Sequence, residues 1–337
     1  MSVEDVKNFI IIFTSILYEA MPFIVLGAVI AGLLEEFVPQ KLVTRIIPRS
    51  HILAIGIGGF LGLLFPMCEC GIIPVMRRLL RKGVPLSCCV CYMLAGPIIN
   101  VVVMLSTKVA FTGMETAVDA YGKPTYQIGG WGMMSLRMGL GYLVAFGTSL
   151  IVEWQYRKHG NKLLAPMAIP DPKRIEVENG DDEENEVPRP LMTRLSNASE
   201  TALHDFVDIT VFLILGALLA ALSRLLFPHD VIENWSRTMP VASIAVMMGL
   251  AIVLCLCSEA DAFVAASFVS LRPASKLAFL VLGPMLDFKL YMMYTRVFRP
   301  RLIWTIIISV IIQVFIYSVI THFIWETYGP SWVSGTP

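Results

Sequence analysis

Charge is scarce in this chain. Asp, Glu, Lys and Arg supply 15% of its 337 residues, where a soluble domain carries about 25%. The 26 basic residues are balanced by 26 acidic ones. There is no basic excess with which to hold nucleic acid, so no nucleic-acid partner is expected. Histidine is scarcer still. His51, His159, His204, His229 and His322 stand apart, without metal-ligand spacing, and neither a resident metal nor a cofactor is expected. The phosphate-cradling pattern G-x-x-x-x-G-K-[ST] is missing, which argues against ATP drive within this chain. With no catalytic constellation in view, an enzyme is not expected.

What the chain has is apolar length, with 56% of its residues hydrophobic. A helix crossing a bilayer needs about 20 mostly apolar residues. Eight stretches qualify: about Asn8–Leu34, His51–Cys70, Val84–Leu105, Ile128–Trp154, Phe206–Phe227, Val241–Cys257, Ala274–Val297 and Leu302–Trp325. The fold class expected is all-α, a polytopic membrane protein of about eight transmembrane helices whose partner is the lipid bilayer. The first stretch is too long for a signal peptide's apolar region and is read as retained.

Residues 155–203 break the pattern. They hold Pro166, Pro170, Pro172, Pro188 and Pro190 and an acidic run from Glu176 to Glu186, the composition of a solvated linker. The expected division is therefore 1–154, a polar linker at 155–203, and 204–337. If the spans alternate strictly, both chain ends and the linker share a face. The Lys/Arg distribution, with Arg77, Arg78, Arg81 and Lys82 on that side, makes it the cytoplasmic one.

The two halves resemble each other. At an offset of 189, Phe23–Ala28 lies on Phe212–Ala217, and Glu19 lies on Asp208. At 187, Cys68 and Cys70 meet Cys255 and Cys257, Gly96-Pro97 meets Gly283-Pro284, and Asn100 meets Asp287. Two C-x-C pairs and two Gly-Pro-x-x-(Asn/Asp) motifs in one register point to a duplication. Internal repeats with interrupted helices are the architecture of secondary transporters, whose sites lie near the midplane. Four spans per half make the repeats parallel; a re-entrant segment in each makes them inverted.

The interruptions are local. Pro66, Gly71 and Pro74 are expected to unwind the chain around Cys68-Glu69-Cys70, which is tolerated at membrane depth only beside protein or a water-filled cavity. Ser258 and Asp261 resemble a capping box, so a helix starting there would aim its positive end at Cys255-Leu256-Cys257. Gly96-Pro97 and Gly283-Pro284 mark the later breaks.

Chemistry gathers at these breaks. Thiolates prefer soft species such as copper(I) and zinc, with trivalent arsenic alike. Cys68, Cys70, Cys255 and Cys257 admit three readings: contact with a soft substrate, plain packing, or redox and metal chemistry. Cys88, Cys89 and Cys91 read as small core residues. Ionisable groups inside the bilayer are functional by default; these are Glu19, Glu69, Asp208, Glu259, Asp261, Asp287 and Lys289. Asp287 and Lys289 do not share a helix face, so each is expected to pair elsewhere. Glu259, Asp261 and Glu69 are candidate proton carriers, and Asn100, Asp287 and Lys289 candidate substrate contacts.

Cys68-Glu-Cys-Gly-Ile-Ile-Pro74 with Gly96-Pro-Ile-Ile-Asn100, and Cys257-Ser-Glu-Ala-Asp-Ala-Phe263 with Gly283-Pro-Met-Leu-Asp-Phe-Lys289, resemble the predicted-permease family containing YraQ and ArsP. The resemblance covers nearly the whole chain apart from the linker. It implies an eight-span inner-membrane permease for a small-molecule substrate. The ArsP branch exports trivalent organoarsenicals, and cysteines are implicated there. The competing reading is a membrane thiol redox or metal-handling protein that uses its C-x-C pairs.

Overall fold

At 1.5 Å per residue a helix needs about 20 residues to cross the roughly 30 Å hydrocarbon layer. Four helices meet that length: α1 (Val3–Phe37), α6 (Gly130–His159), α7 (Leu191–Leu226) and α12 (Pro300–Ser334). They are also apolar enough to cross. These bounds come from a computed structural model that describes residues 3–37, 48, 50–65, 67–113, 128–164, 191–226, 240–268 and 271–334. Most of the acidic linker lies outside the described residues.

The remaining helices are short. They are α2 (His51–Leu64), α3 (Glu69–Arg81), α4 (Leu86–Ala95), α5 (Val101–Ala110), α8 (Pro240–Leu254), α9 (Asp261–Ser267), α10 (Pro273–Leu282) and α11 (Phe288–Tyr294). None spans alone, so each must complete its path with a neighbour. All eight apolar stretches are helical, four as single rods and four as broken ones. The protein is an all-helical polytopic membrane protein, and no strand longer than a single bridge occurs among the described residues.

Side-chain contacts fix the direction of each element. α1 and α7 are repeat equivalents, yet they run antiparallel. Glu36 of α1 accepts hydrogen bonds from Arg194 and Asn197 at the start of α7. Gly32 sits against Ala198 and Ala202, while Ile16 clusters with Ala217 and Ala220 near the other end. α6 and α12 are antiparallel as well, joined by Gln155–Thr305 and Thr148–Ser309. The two halves are therefore inverted repeats.

The short helices explain the inversion. α2 and α4 lie parallel, Gly58 on Cys88 and Gly62 on Gly96. His51 and Ser87 both meet Glu153 near the end of α6, so α2 and α4 start on one face, called here the linker face. α3 carries Arg77 and Arg78 back to that face, where they meet Asp205 of α7. Thus α2 and α3 form a re-entrant pair. α4 and α5 instead form one broken crossing, for Lys108 near the end of α5 stacks on Trp131 at the start of α6. The second half repeats this upside down. α8 and α10 are parallel, with Ser243 bonded to Ser275. After α9 the chain returns to the face it came from, where Arg272 pairs with Glu326 late in α12. Just past the end of α11, Arg296 meets Asp208 of α7 on the linker side.

Strict alternation of the spans is thereby corrected. Because residues 51–81 and 240–267 turn back, the start of α1 lies opposite the linker rather than beside it. Close approach at the turns depends on glycine. A Cβ on Gly27 would stand 2.4 Å from the Gly71 carbonyl oxygen, where α1 crosses α3, the small-residue contact typical of membrane helix pairs.

Reporter tags placed before residue 3 and within residues 165–190 should be accessible from opposite sides of the membrane. Protease protection in oriented vesicles checks this, and tags exposed on the same side would overturn the inverted arrangement.

Candidate functional site

Four short helices begin near the middle of the bundle. α3 and α11 run from there towards the linker face, α5 and α9 towards the other. A helix start leaves backbone N–H groups without partners, and no water is at hand to satisfy them at this depth. Two are met by side chains. Asn100 Oδ1 accepts from Val102 N at 2.9 Å at the head of α5. Asp287 Oδ1 accepts from Leu290 N at 2.6 Å at the head of α11. The repeated Asn/Asp of the Gly-Pro motifs is thus a repeated N-cap.

Charge is concentrated at the same level. Lys289 Nζ lies 2.8 Å from Glu69 Oε1, joining α11 to α3 across the two halves, with both side chains almost fully buried. Lys289 Nζ is also 3.6 Å from Asp287 Oδ2. Asp287 and Lys289 therefore do meet, contrary to the helical-face expectation. Asp287 precedes the helix, so helical spacing does not separate it from Lys289. A matching tie holds α5 to α9. Arg137 of α6 donates to Asp261 Oδ2 at 2.8 Å, to the Ser258 carbonyl at 3.1 Å and to Thr107 Oγ1 at 2.7 Å.

The C-x-C segments border these ties. Cys68 is the residue before α3, so its thiol can neighbour that of Cys70 despite the helical spacing. Cys255 lies against the backbone at Phe288 and Lys289. Its own φ is +46°, a left-handed conformation uncommon for a residue with a Cβ. Cys257 donates to Glu19 Oε1 at 2.6 Å, and Ser258 Oγ donates to Glu69 Oε2 at 3.5 Å. Both carboxylate oxygens of Glu259 are buried without a hydrogen-bond partner among the described residues. All seven cysteines are free thiols.

Several expectations shift. Gly71 and Pro74 lie inside α3; α2 ends at Leu64 and α3 begins at Glu69, and Pro66 lies outside the described residues. Pro74 is the sixth residue of α3, where it forgoes the helical bond to the Cys70 carbonyl, and the helix continues through it to Arg81. Gly71 serves as the seat for α1. Ser258 and Asp261 form no capping box: α9 begins after Ala260, which makes no side-chain cap, and both side chains bond across to other elements instead. Gly96 and Gly283 end α4 and α10, and Pro97 and Pro284 sit in the turns that follow. Gly283 lies 3.9 Å from Asp261 Oδ2, measured from an added Cβ. Cys88 and Cys91 pack against Gly58 and Gly59, as small core residues do.

Sequence reading missed Arg137 and Thr107. The signal was available, since Arg137 lies within the apolar stretch 128–154 and a membrane-embedded arginine is itself a pointer. It also missed Asp205, which stands at the polar edge of α7 and takes both Arg77 and Arg78.

An inverted pair of repeats, with broken helices meeting at buried ion pairs, defines a membrane transport protein. Residues 5–323 match the family model ArsP_1, described as a predicted permease, and the chain belongs to that family. It is 36% identical to the UPF0718 protein YcgR of Bacillus subtilis over 90% of this chain and 93% of that one. It is 30% identical to a putative two-component membrane permease complex subunit of Streptococcus mutans, over 94% of this chain and 96% of that one. No solved structure matches.

Lys289→Met leaves Glu69 as a buried unpaired charge, and breaking such a pair costs about 3–5 kcal/mol. Unfolding in detergent should show a loss of that order. The double variant Glu69→Gln/Lys289→Met should recover most of it, and additive losses would refute a direct pair.

Proposed function

We propose that this membrane permease is a secondary transporter that exports a small thiophilic solute, with trivalent organoarsenicals as the class to test first. The observation that carries the reading is that Glu69, flanked by Cys68 and Cys70, both pairs with Lys289 and accepts from Ser258, the neighbour of Cys257. A soft electrophilic solute would find thiols there from each half. Cys68, Cys70, Cys255 and Cys257 would contact it. Lys289 and Asp287 would orient it, with Asn100 holding the head of α5 in place. Glu259, Asp261 and Glu69 would carry protons, since buried carboxyls exchange them when desolvation and neighbours change during the cycle. Glu259 is the best placed, because both its oxygens are buried without a geometric hydrogen bond among the described residues.

The protein would sit in the cytoplasmic membrane with its linker inside, the side favoured by Arg77, Arg78, Arg81 and Lys82. The Streptococcus relative's description as a complex subunit supports a second protein component.

The adjacency of Cys68 and Cys70 also favours the redox reading, in which two thiols pass two electrons and two protons to an external two-electron acceptor as the disulfide forms, and an external dithiol reductant restores them. Proteoliposomes separate the two. Transport predicts gradient-coupled flux of a trivalent organoarsenical that falls at least tenfold in Cys257→Ser and is abolished in the quadruple Cys→Ser variant. The redox reading predicts loss on any single Ser substitution, with a measurable thiol potential and no flux. Unchanged flux in the quadruple variant would reduce the cysteines to packing.

A further inference from the structure

Inverted repeats of one sequence pattern should meet one another through equivalent contacts. Here they do not. α1 packs on α3 and α7 packs on α11. Exchanging the halves turns α1 into α7, α3 into α9, α11 into α5 and α7 into α1. The equivalent contacts would be α7 on α9 and α1 on α5, and neither is comparably packed. Two arrangements of the same elements are thus available, and one is occupied.

The seats of the occupied arrangement are equivalent glycines. Gly27 of α1 rests on Gly71 of α3, and Gly216 of α7 rests on the Lys289 backbone of α11. Gly27 and Gly216 are related by the repeat offset of 189. By the offset of 187, the seats in the exchanged arrangement are Val102 for Gly27 and Ser258 for Gly216. Val102 is 51% exposed, so the α5 seat is uncovered, whereas Ser258 is fully buried in the occupied arrangement.

What holds the occupied arrangement is ionic, and it lies on the linker side. Arg77 of α3 pairs with Asp205 and Asp208 of α7. Arg78 grips Asp205 through two nitrogens, at 3.0 and 2.6 Å, and approaches Glu35 of α1 at 3.8 Å. Arg296, just past α11, reaches Asp208 at 2.5 Å. The repeat counterparts of Arg77, Arg78, Arg296 and Asp205 are Val264, Ala265, Val109 and Ile16. None of these can ionise; Asp208 alone keeps an acidic counterpart, Glu19, and with no counterpart cation the exchanged arrangement has no such bond.

We propose that the α1–α7 pair is the moving unit of the transport cycle, rocking from α3 and α11 onto α5 and α9, and that the Arg77/Arg78/Arg296–Asp205/Asp208 network is the gate that holds the linker face shut. This rests on the permease reading and deepens it. Rocking of one bundle against another around a fixed site is the general route to alternating access. The stability of one packing over the other sets which face is open.

The test needs no solute, so it fails independently of the flux assay. Single cysteines are introduced in the full chain at Ile209, in the cleft beside Arg77 and Asp208, and at Val102. Labelling by a membrane-impermeant maleimide is followed from each face of oriented vesicles, relative to the chain without the added cysteine. With the gate intact, Val102→Cys should label from the face opposite the linker and Ile209→Cys slowly from the linker face. Adding Asp205→Asn/Asp208→Asn should raise the Ile209→Cys rate at least tenfold and lower the Val102→Cys rate. Asp208→Glu should behave as the parent. Reciprocal change supports the gate, whereas simple loosening raises both rates. A parallel rise, no change, or no labelling of Val102→Cys in the parent would overturn the proposal.

Discussion

Everything at the centre of this protein hangs on one buried bond, that between Glu69 and Lys289. Neither charge belongs at that depth alone, because an unpaired ion in hydrocarbon costs several kcal/mol. Each therefore requires the other, and they come from opposite halves of the chain. Glu69 opens α3 and Lys289 stands in the first turn of α11. Both helices can start only at the depth that brings the two groups within 2.8 Å. The breaks supply the chain reversal, the caps Asn100 and Asp287 satisfy the exposed backbone, and the bond sets the register between halves.

The duplicated frame does not duplicate the charges. The repeat counterpart of Glu69 is Leu256, that of Lys289 is Val102, and that of Asp261 is Pro74. The lower and upper halves of the centre are nevertheless both tied. α3 and α11 are joined by Glu69 and Lys289, α5 and α9 by Arg137 acting on Thr107, Asp261 and the Ser258 carbonyl. The same mechanical need has been met twice with different residues. A carboxylate–ammonium pair leaves Glu69 Oε2 to Ser258, whereas the arginine tie leaves Asp261 Oδ1 unbonded among the described residues. The polarity of the centre is therefore unequal along the membrane normal.

The repeat, the eight apolar stretches and the clustering of chemistry at the breaks were legible because each is carried by residue identity at fixed spacing. What was not legible is direction. Residues 51–70 form an apolar run as long as a true span, and nothing in their composition says that the chain turns back after Leu64. The turn is decided by tertiary partners: Arg77 and Arg78 are drawn to Asp205, 127 residues and more away. Pro74 misled for a related reason. Its local cost did not decide the outcome: α3 continues through Pro74, its sixth residue, and carries Arg77 and Arg78 to Asp205. Arg137 was overlooked because it stands inside an otherwise apolar span, far in sequence from any break.

The two long-helix interfaces differ in a way that bears on motion. α6 and α12 are pinned by a ladder of polar side chains: Thr148 with Ser309, Gln313 with Thr148 and Ser309, and Gln155 with Thr305. Each hydrogen bond in a dry interface resists sliding, because breaking it strands two buried polar groups. Towards each end of their contact, α1 and α7 meet through small or apolar residues: Gly32, Ala198 and Ala202 at one, Ile16, Ala217 and Ala220 at the other. Small apolar residues impose close contact without directional bonds, and the ionic grip on this pair, at Asp205, Asp208 and Glu35, lies on the linker side. A unit held by shape along its length and by charge at one face can pivot as a body once that face is released. A unit laced by hydrogen bonds along its length cannot, and α6 with α12 supplies the frame against which such a pivot acts.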